Sequence, residues 1–143
     1  MIRMSAFVIL ATLTVGVAAH GATTAVIKGT AHSDEIQGTR GDDIIYGFVG
    51  NDEIEGRGGS DVIYGGPGDD TLSGGGGKDY LSGGEGDDTL FAADGERRPV
   101  DFLSCGAGDD RVILAAVPDG DRAVVRRLLD GAPSYCESVQ FKG

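Results

Sequence analysis

The sequence predicts an all-β fold, a parallel β-roll (a right-handed parallel β-helix or solenoid) closed by a small C-terminal cap. Three observations predict it. Residues 38–91 divide without insertion into six nonapeptides: GTRGDDIIY, GFVGNDEIE, GRGGSDVIY, GGPGDDTLS, GGGGKDYLS and GGEGDDTLF. Each has Gly at position one (Gly38, Gly47, Gly56, Gly65, Gly74, Gly83) and at position four (Gly41, Gly50, Gly59, Gly68, Gly77, Gly86). Each has Asp at position six and a branched aliphatic at position eight (Ile45, Ile54, Ile63, Leu72, Leu81, Leu90). Finally, aromatics are 6% of the chain, Trp is absent, and the 26 glycines lack the every-third spacing of collagen, so a large globular core is not expected.

The elements follow in order. Residues 1–22 read as a secretory signal peptide: Arg3 is a thin basic region, Ala6 to Val17 is apolar, and Val17-Ala18-Ala19 offers cleavage after Ala19, with Ala22 as second choice. An uncleaved anchor is the alternative, but the apolar run is short for a membrane span. Residues 23–113 are the roll. Ile27 lies nine before Ile36, which makes Val26-Ile27-Lys28 a first strand. GTAHSDEIQ at 29–37 is a weaker repeat, with His32 in place of Gly but Asp34 and Ile36 in phase. Residues 92–104 read as one repeat carrying a four-residue insertion, Arg97 to Val100, with Asp101 at position six and Leu103 at position eight. CGAGDDRVI at 105–113 returns to phase, with Cys105 first and Asp110 sixth. Residues 114–143 are assigned to a cap. Pro118-Asp119-Gly120 is a turn signal, and Asp121 to Asp130 has one apolar helical face, with a strand over Ala123 to Val125 as the competing reading.

Within a repeat, positions one to six are expected to form a turn, with glycines one and four supplying positive φ. Positions seven to nine are expected to form a short strand whose eighth side chain points inward. Outward positions include the polar Glu35, Gln37, Thr71, Ser73, Ser82 and Thr89; Tyr46, Tyr64, Tyr80 and Phe91 fall there too and are expected to be scattered rather than to form a flat aromatic patch.

Seven in-phase copies of the pattern Gly-x-x-Gly-x-Asp-x-aliphatic-x resemble the RTX, or haemolysin-type, calcium-binding repeat family. The tail, a Cys-Gly-x-Gly-x-Asp repeat followed by Cys136-Glu137-Ser138-Val139, is similar to the ending of small exported RTX-like proteins. The resemblance implies that one nonapeptide makes half a coil, so that repeats n and n+2 stack and their turns meet. An ion between two stacked turns then takes backbone carbonyls and one Asp from each, the hard oxygen ligands that Ca²⁺ prefers. The implied aspartate pairs are Asp34/Asp52, Asp52/Asp70 and Asp70/Asp88 along one side and Asp43/Asp61 and Asp61/Asp79 along the other, for about five ions, counting one per stacked pair. The first pair is weakened by His32, and Asp88/Asp110 depends on how the insertion is accommodated. The turn backbones at Gly41, Gly50, Gly59, Gly68, Gly77 and Gly86 complete the candidate ligand set.

The formal net charge is -11, and between residues 29 and 91 only Arg40, Arg57 and Lys78 offset the acids. Such an acidic strip argues against nucleic acid and anionic membranes as partners and suits a cation. Without calcium these carboxylates repel, so the repeat is expected to fold on binding the ion. Export favours a disulfide between the two cysteines, Cys105 and Cys136, over two free buried thiols.

Catalysis is not expected. His20 and His32 are the two histidines, no Gly-x-Ser-x-Gly occurs, and Gly74 to Asp79 lacks both the first Gly and the Ser/Thr of a phosphate-binding loop. No EF-hand loop is present. The expected role is therefore calcium binding by a secreted, extracellular β-roll. A structural or adhesive surface module that uses calcium for rigidity is the second reading, with its protein or glycan partner open. Position two reads Thr30, Thr39, Phe48, Arg57, Gly66, Gly75, Gly84, which is no ladder of identical residues.

Overall fold

A computed structural model describes residues 24–94, 101–115 and 138–142. The expected signal peptide (1–22), the insertion at 97–100, the helix or strand within 121–130 and Cys136 lie outside the described residues.

The described residues form two parallel sheets. Strands β1 (Val26–Lys28), β3 (Ile44–Tyr46), β5 (Val62–Pro67), β7 (Tyr80–Glu85) and β9 (Phe102–Ala107) make a five-stranded sheet in that order. Strands β2 (Glu35–Gln37), β4 (Glu53–Glu55), β6 (Thr71–Ser73), β8 (Thr89–Asp94), β10 (Arg111–Ala115) and β11 (Ser138–Lys142) make a six-stranded one. Odd strands thus stack on odd and even repeat strands on even, as half a coil per nonapeptide requires. The register is direct: Ile27 pairs with Ile45, Ile45 with Ile63 and Ile63 with Leu81. Leu81 then pairs with Leu103, which puts Asp101 and Leu103 at positions six and eight across the insertion.

Strand pairing often runs past position nine. β5, β7 and β9 extend through the following Gly-Gly-Pro, Gly-Gly-Glu and Cys-Gly-Ala, with Gly66 paired to Gly84 and Gly84 to Gly106. At the far end β11 lies parallel to β10, with Val112 opposite Val139.

The core is one column of side chains per sheet. Ile45, Ile63, Leu72, Leu81, Leu90 and Val112 are wholly buried, and Ile36 and Ile54 nearly so. A strand exposes alternate side chains to opposite faces, so one inward residue per three-residue strand is all the geometry allows. Cys105 joins this core.

The outward faces differ. The six-stranded sheet carries Glu35, Glu53, Glu55, Thr71 and Arg111 among its outward residues. On the five-stranded sheet position seven reads Val26, Ile44, Val62, Tyr80, Phe102, and position nine includes Tyr46 and Tyr64. The aromatics scattered in sequence therefore come together: Tyr46 and Tyr64 are direct cross-strand partners whose rings stack at 5.2 Å and 10°. Phe91 stands apart from them on β8 of the other sheet. The reason is the n+2 stacking, which makes residues about eighteen apart into neighbours.

Candidate metal centre

The aspartates at position six form two ladders, one along each edge where the chain passes between sheets. Along one edge Asp34, Asp52, Asp70, Asp88 and Asp110 follow one another. The backbone N–H of Asp34 donates to Oδ1 of Asp52 at 2.8 Å, that of Asp52 to Asp70 at 2.8 Å, that of Asp70 to Asp88 at 2.8 Å, and that of Asp88 to Asp110 at 2.9 Å. Along the other, the N–H of Ala25 donates to Asp43 at 2.9 Å, of Asp43 to Asp61 at 2.8 Å, of Asp61 to Asp79 at 2.8 Å, and of Asp79 to Asp101 at 3.0 Å. The structure thus stacks every aspartate pair named from the sequence, Asp88/Asp110 included. It adds Asp79/Asp101, which sequence reasoning left out although Asp101 had been placed at position six.

In every aspartate of the two ladders except Asp34, Oδ1 is committed to this bond. The other, Oδ2, is buried without a hydrogen-bond partner at Asp52, Asp61, Asp70 and Asp88. A buried acceptor left in this way is costly unless something else satisfies it. Burial pushes Asp61 and Asp88 up to about 7 and Asp70 up to about 6, and it also raises Asp52. The N–H bond from the preceding aspartate opposes the shift, while neighbouring carboxylates add to it, Asp79, Asp43 and Asp42 in the case of Asp61. Buried carboxylates whose second oxygen finds no internal donor are groups that a bound cation would stabilise in their ionised form.

The first two turns differ. Oδ2 of Asp34 accepts the backbone N–H of Thr30 at 2.5 Å and its hydroxyl at 2.9 Å. Oδ2 of Asp43 accepts the N–H of Thr39 at 2.6 Å, and the Thr39 hydroxyl reaches Asp43 Oδ1 at 3.1 Å. In these turns the residue at position two, threonine, gives the aspartate carboxylate internal donors from its N–H and its hydroxyl.

Glycine at position one has a steric rather than a conformational cause, which corrects the expectation of positive φ there. A Cβ on Gly47, Gly56 or Gly65 would meet both Oδ2 of its own repeat's aspartate and the carbonyl oxygen of the position-one glycine in the next coil of the stack. The carboxylate and the carbonyl converge on the same spot, which is an oxygen-lined cradle. Positive φ occurs instead at position two, in Gly66, Gly75, Gly84 and Gly106, and at position four, in Gly50, Gly59, Gly68, Gly77, Gly86 and Gly108. Phe48 and Arg57 occupy position two with φ of 80° and 79°, against the preference of L-residues.

No group of three or more His, Cys, Asp or Glu side chains is poised around a common point among the described residues. An ion here must draw on the backbone as well as on carboxylates, a donor set of oxygens alone. That suits a hard divalent cation and not a thiolate- or imidazole-seeking one.

Fold and site together define a metal-binding repeat solenoid with hard oxygen donors. The model of the RTX calcium-binding nonapeptide repeat matches residues 28–63 and 64–96, in four copies, so residues 28–96 are RTX repeats. Calcium is accordingly the ion its repeats bind. No curated protein and no solved structure matches the chain.

Proposed function

We propose that this protein is an exported calcium-binding β-roll without catalysis of its own, and that it folds on binding the ion. The observation that carries the reading is the set of buried, unpartnered Oδ2 atoms at Asp52, Asp61, Asp70 and Asp88, each beside a carbonyl oxygen or a close-packed glycine turn. The ligands are Asp52, Asp61, Asp70, Asp79, Asp88 and Asp110, with backbone carbonyls of the turns around Gly50, Gly59, Gly68, Gly77 and Gly86. Asp34, Asp43 and Gly41 belong to turns that threonine already closes, so they contribute less. About five ions remain the expected load: one each for the stacked pairs Asp52/Asp70, Asp70/Asp88, Asp88/Asp110 and Asp61/Asp79, and a fifth for Asp79/Asp101.

Folding and binding are coupled because each nine residues bury one aliphatic, a thin core for the chain it must order. Affinities typical of extracellular calcium modules, in the range of about 10⁻⁴–10⁻³ M, keep such a chain unfolded inside a cell and fold it outside. Residues 1–22 are its export signal. A Cys105–Cys136 disulfide ties the cap of residues 114–143 to the last coils and stabilises it by about 3–4 kcal/mol in the chain-entropy picture.

The test is calcium binding by titration calorimetry on the wild type and on Asp70→Asn, with Mg²⁺ as control. The reading expects several Ca²⁺ per chain and fewer in the variant. No heat with Ca²⁺, or equal heat with Mg²⁺, contradicts it.

A further inference from the structure

The outward face of the five-stranded sheet is unlike every other surface of the roll. Phe48, Tyr46, Tyr64, Tyr80 and Phe102 run along it, with Val62 beside them. Phe48 is 45% exposed, Tyr64 38%, Tyr80 37% and Phe102 59%. The rings form a continuous row: Phe48 stacks on Tyr46 at 6.1 Å, Tyr46 on Tyr64 at 5.2 Å, and Tyr64 meets Tyr80 at 5.9 Å and 56°. Tyr80 is the cross-strand partner of Phe102, over which Lys78 places its Nζ at 5.0 Å.

No outward residue at positions seven and nine of this sheet is acidic. The opposite sheet presents Glu35, Glu53 and Glu55, and one edge presents Asp69, Asp87 and Asp109, all exposed. For a chain of net charge -11 this is the face on which a second copy can be met without carboxylates opposing carboxylates. Ring orientation also bears on the occupant. Rings 5.2 Å apart and nearly parallel cannot lie side by side in one plane, so Tyr46 and Tyr64 turn their edges outward. A sugar ring needs an aromatic face to lie on. A second row of the same rings can interdigitate with edges instead.

We infer that this aromatic face is a self-association surface, through which two calcium-loaded chains pair sheet to sheet. The arrangement is isologous, each copy offering the same row to the other, with the two sheets about 10 Å apart. The inference rests on the calcium reading, because the row exists only where the chain is rolled up, and bound calcium also lowers the repulsion between copies. Five strands at about 4.8 Å make the face roughly 24 Å tall and about one short strand wide. That is below the standard size of specific interfaces and within the range of weak, transient contacts, so the dimer is weak and forms at tens of micromolar or above.

The test is sedimentation equilibrium of the protein as its host cell processes it, in excess Ca²⁺, from about 5 to about 200 micromolar. Wild type is expected to move reversibly from monomer to dimer over this range. Tyr64→Glu and Phe102→Glu are expected to weaken the dimer at least about tenfold, while Thr71→Glu, the same kind of change on the opposite sheet, leaves it intact. Far-UV circular dichroism on each sample verifies the fold, and Phe102→Ser replaces any Glu variant that loses its β signal. A wild type that is β-rich yet monomeric throughout overturns the inference and leaves the calcium reading standing. So does a dimer that the face variants do not weaken. A wild type with no β signal in Ca²⁺ overturns both.

Discussion

Threonine and aspartate share one task in this chain, and single substitutions separate their contributions. Where position two is Thr30 or Thr39, the aspartate's second oxygen is bonded internally; at Asp52, Asp61, Asp70 and Asp88 it is buried and unpartnered. Asp70→Asn keeps a carbonyl oxygen for the ladder bond but removes charge from two stacked turns, and it should raise the calcium midpoint at least about tenfold. Thr39→Ala should instead cost about 1 kcal/mol of stability in saturating calcium, with little change in the calcium midpoint. Chemical denaturation at fixed calcium distinguishes the two. Backbone strain gives a third test. Arg57 sits at φ 79°, so Arg57→Gly should stabilise the calcium-loaded roll by about 1 kcal/mol, less whatever its contact with Gln37 contributes. Gly65→Ala should do the reverse, and severely, because its Cβ meets the Asp70 carboxylate and the Gly83 carbonyl.

The individual coil is the scale at which protons and calcium compete. Asp61 and Asp88 are raised to about 7 and Asp70 to about 6, against an ordinary 3.8. A group whose folded pKa is raised holds its proton more tightly in the folded state. Its contribution is therefore complete below about 3.8 and is lost as pH rises through about 6–7. In chelator, circular dichroism should show more β structure at pH 4 than at pH 8. In calcium the order should reverse, because ligation requires the carboxylates to release those protons. Much of the coil was legible from the nine-residue period alone. The strand at positions seven to nine and the inward eighth residue follow from it, while the stacking of repeats n and n+2 came from the resemblance to the RTX repeat family. Other features were hidden where an exception masked the rule. Phe48 and Arg57 concealed that position two is the left-handed position, although Gly66, Gly75 and Gly84 carried the signal. Thr30 and Thr39 read as variation rather than as internal partners for Asp34 and Asp43, because their role depends on hydroxyl geometry. Position one looked like a conformational glycine when the reason is the oxygen atoms packed against it.

Across the described residues, two ladders of acid enclose a thin core made of one column of aliphatics from each sheet. Each column is continuous, so a gap anywhere is felt along it: Leu72, wholly buried in β6, should lose about 2–5 kcal/mol on change to Ala, seen as a lower melting temperature in saturating calcium. The same stacking that aligns the acids gathers Tyr46, Tyr64, Tyr80 and Phe102 on one face, a grouping invisible to linear reading because the partners stand sixteen to twenty-two residues apart. We propose that calcium folds the roll by meeting the buried carboxylate oxygens along both edges. Far-UV circular dichroism during a calcium titration at neutral pH, against a magnesium control, tests it most directly. The account expects a cooperative passage from coil to β structure with Ca²⁺ alone, at about 10⁻⁴–10⁻³ M. A spectrum already rich in β structure in chelator at neutral pH, and unmoved by Ca²⁺, would contradict it.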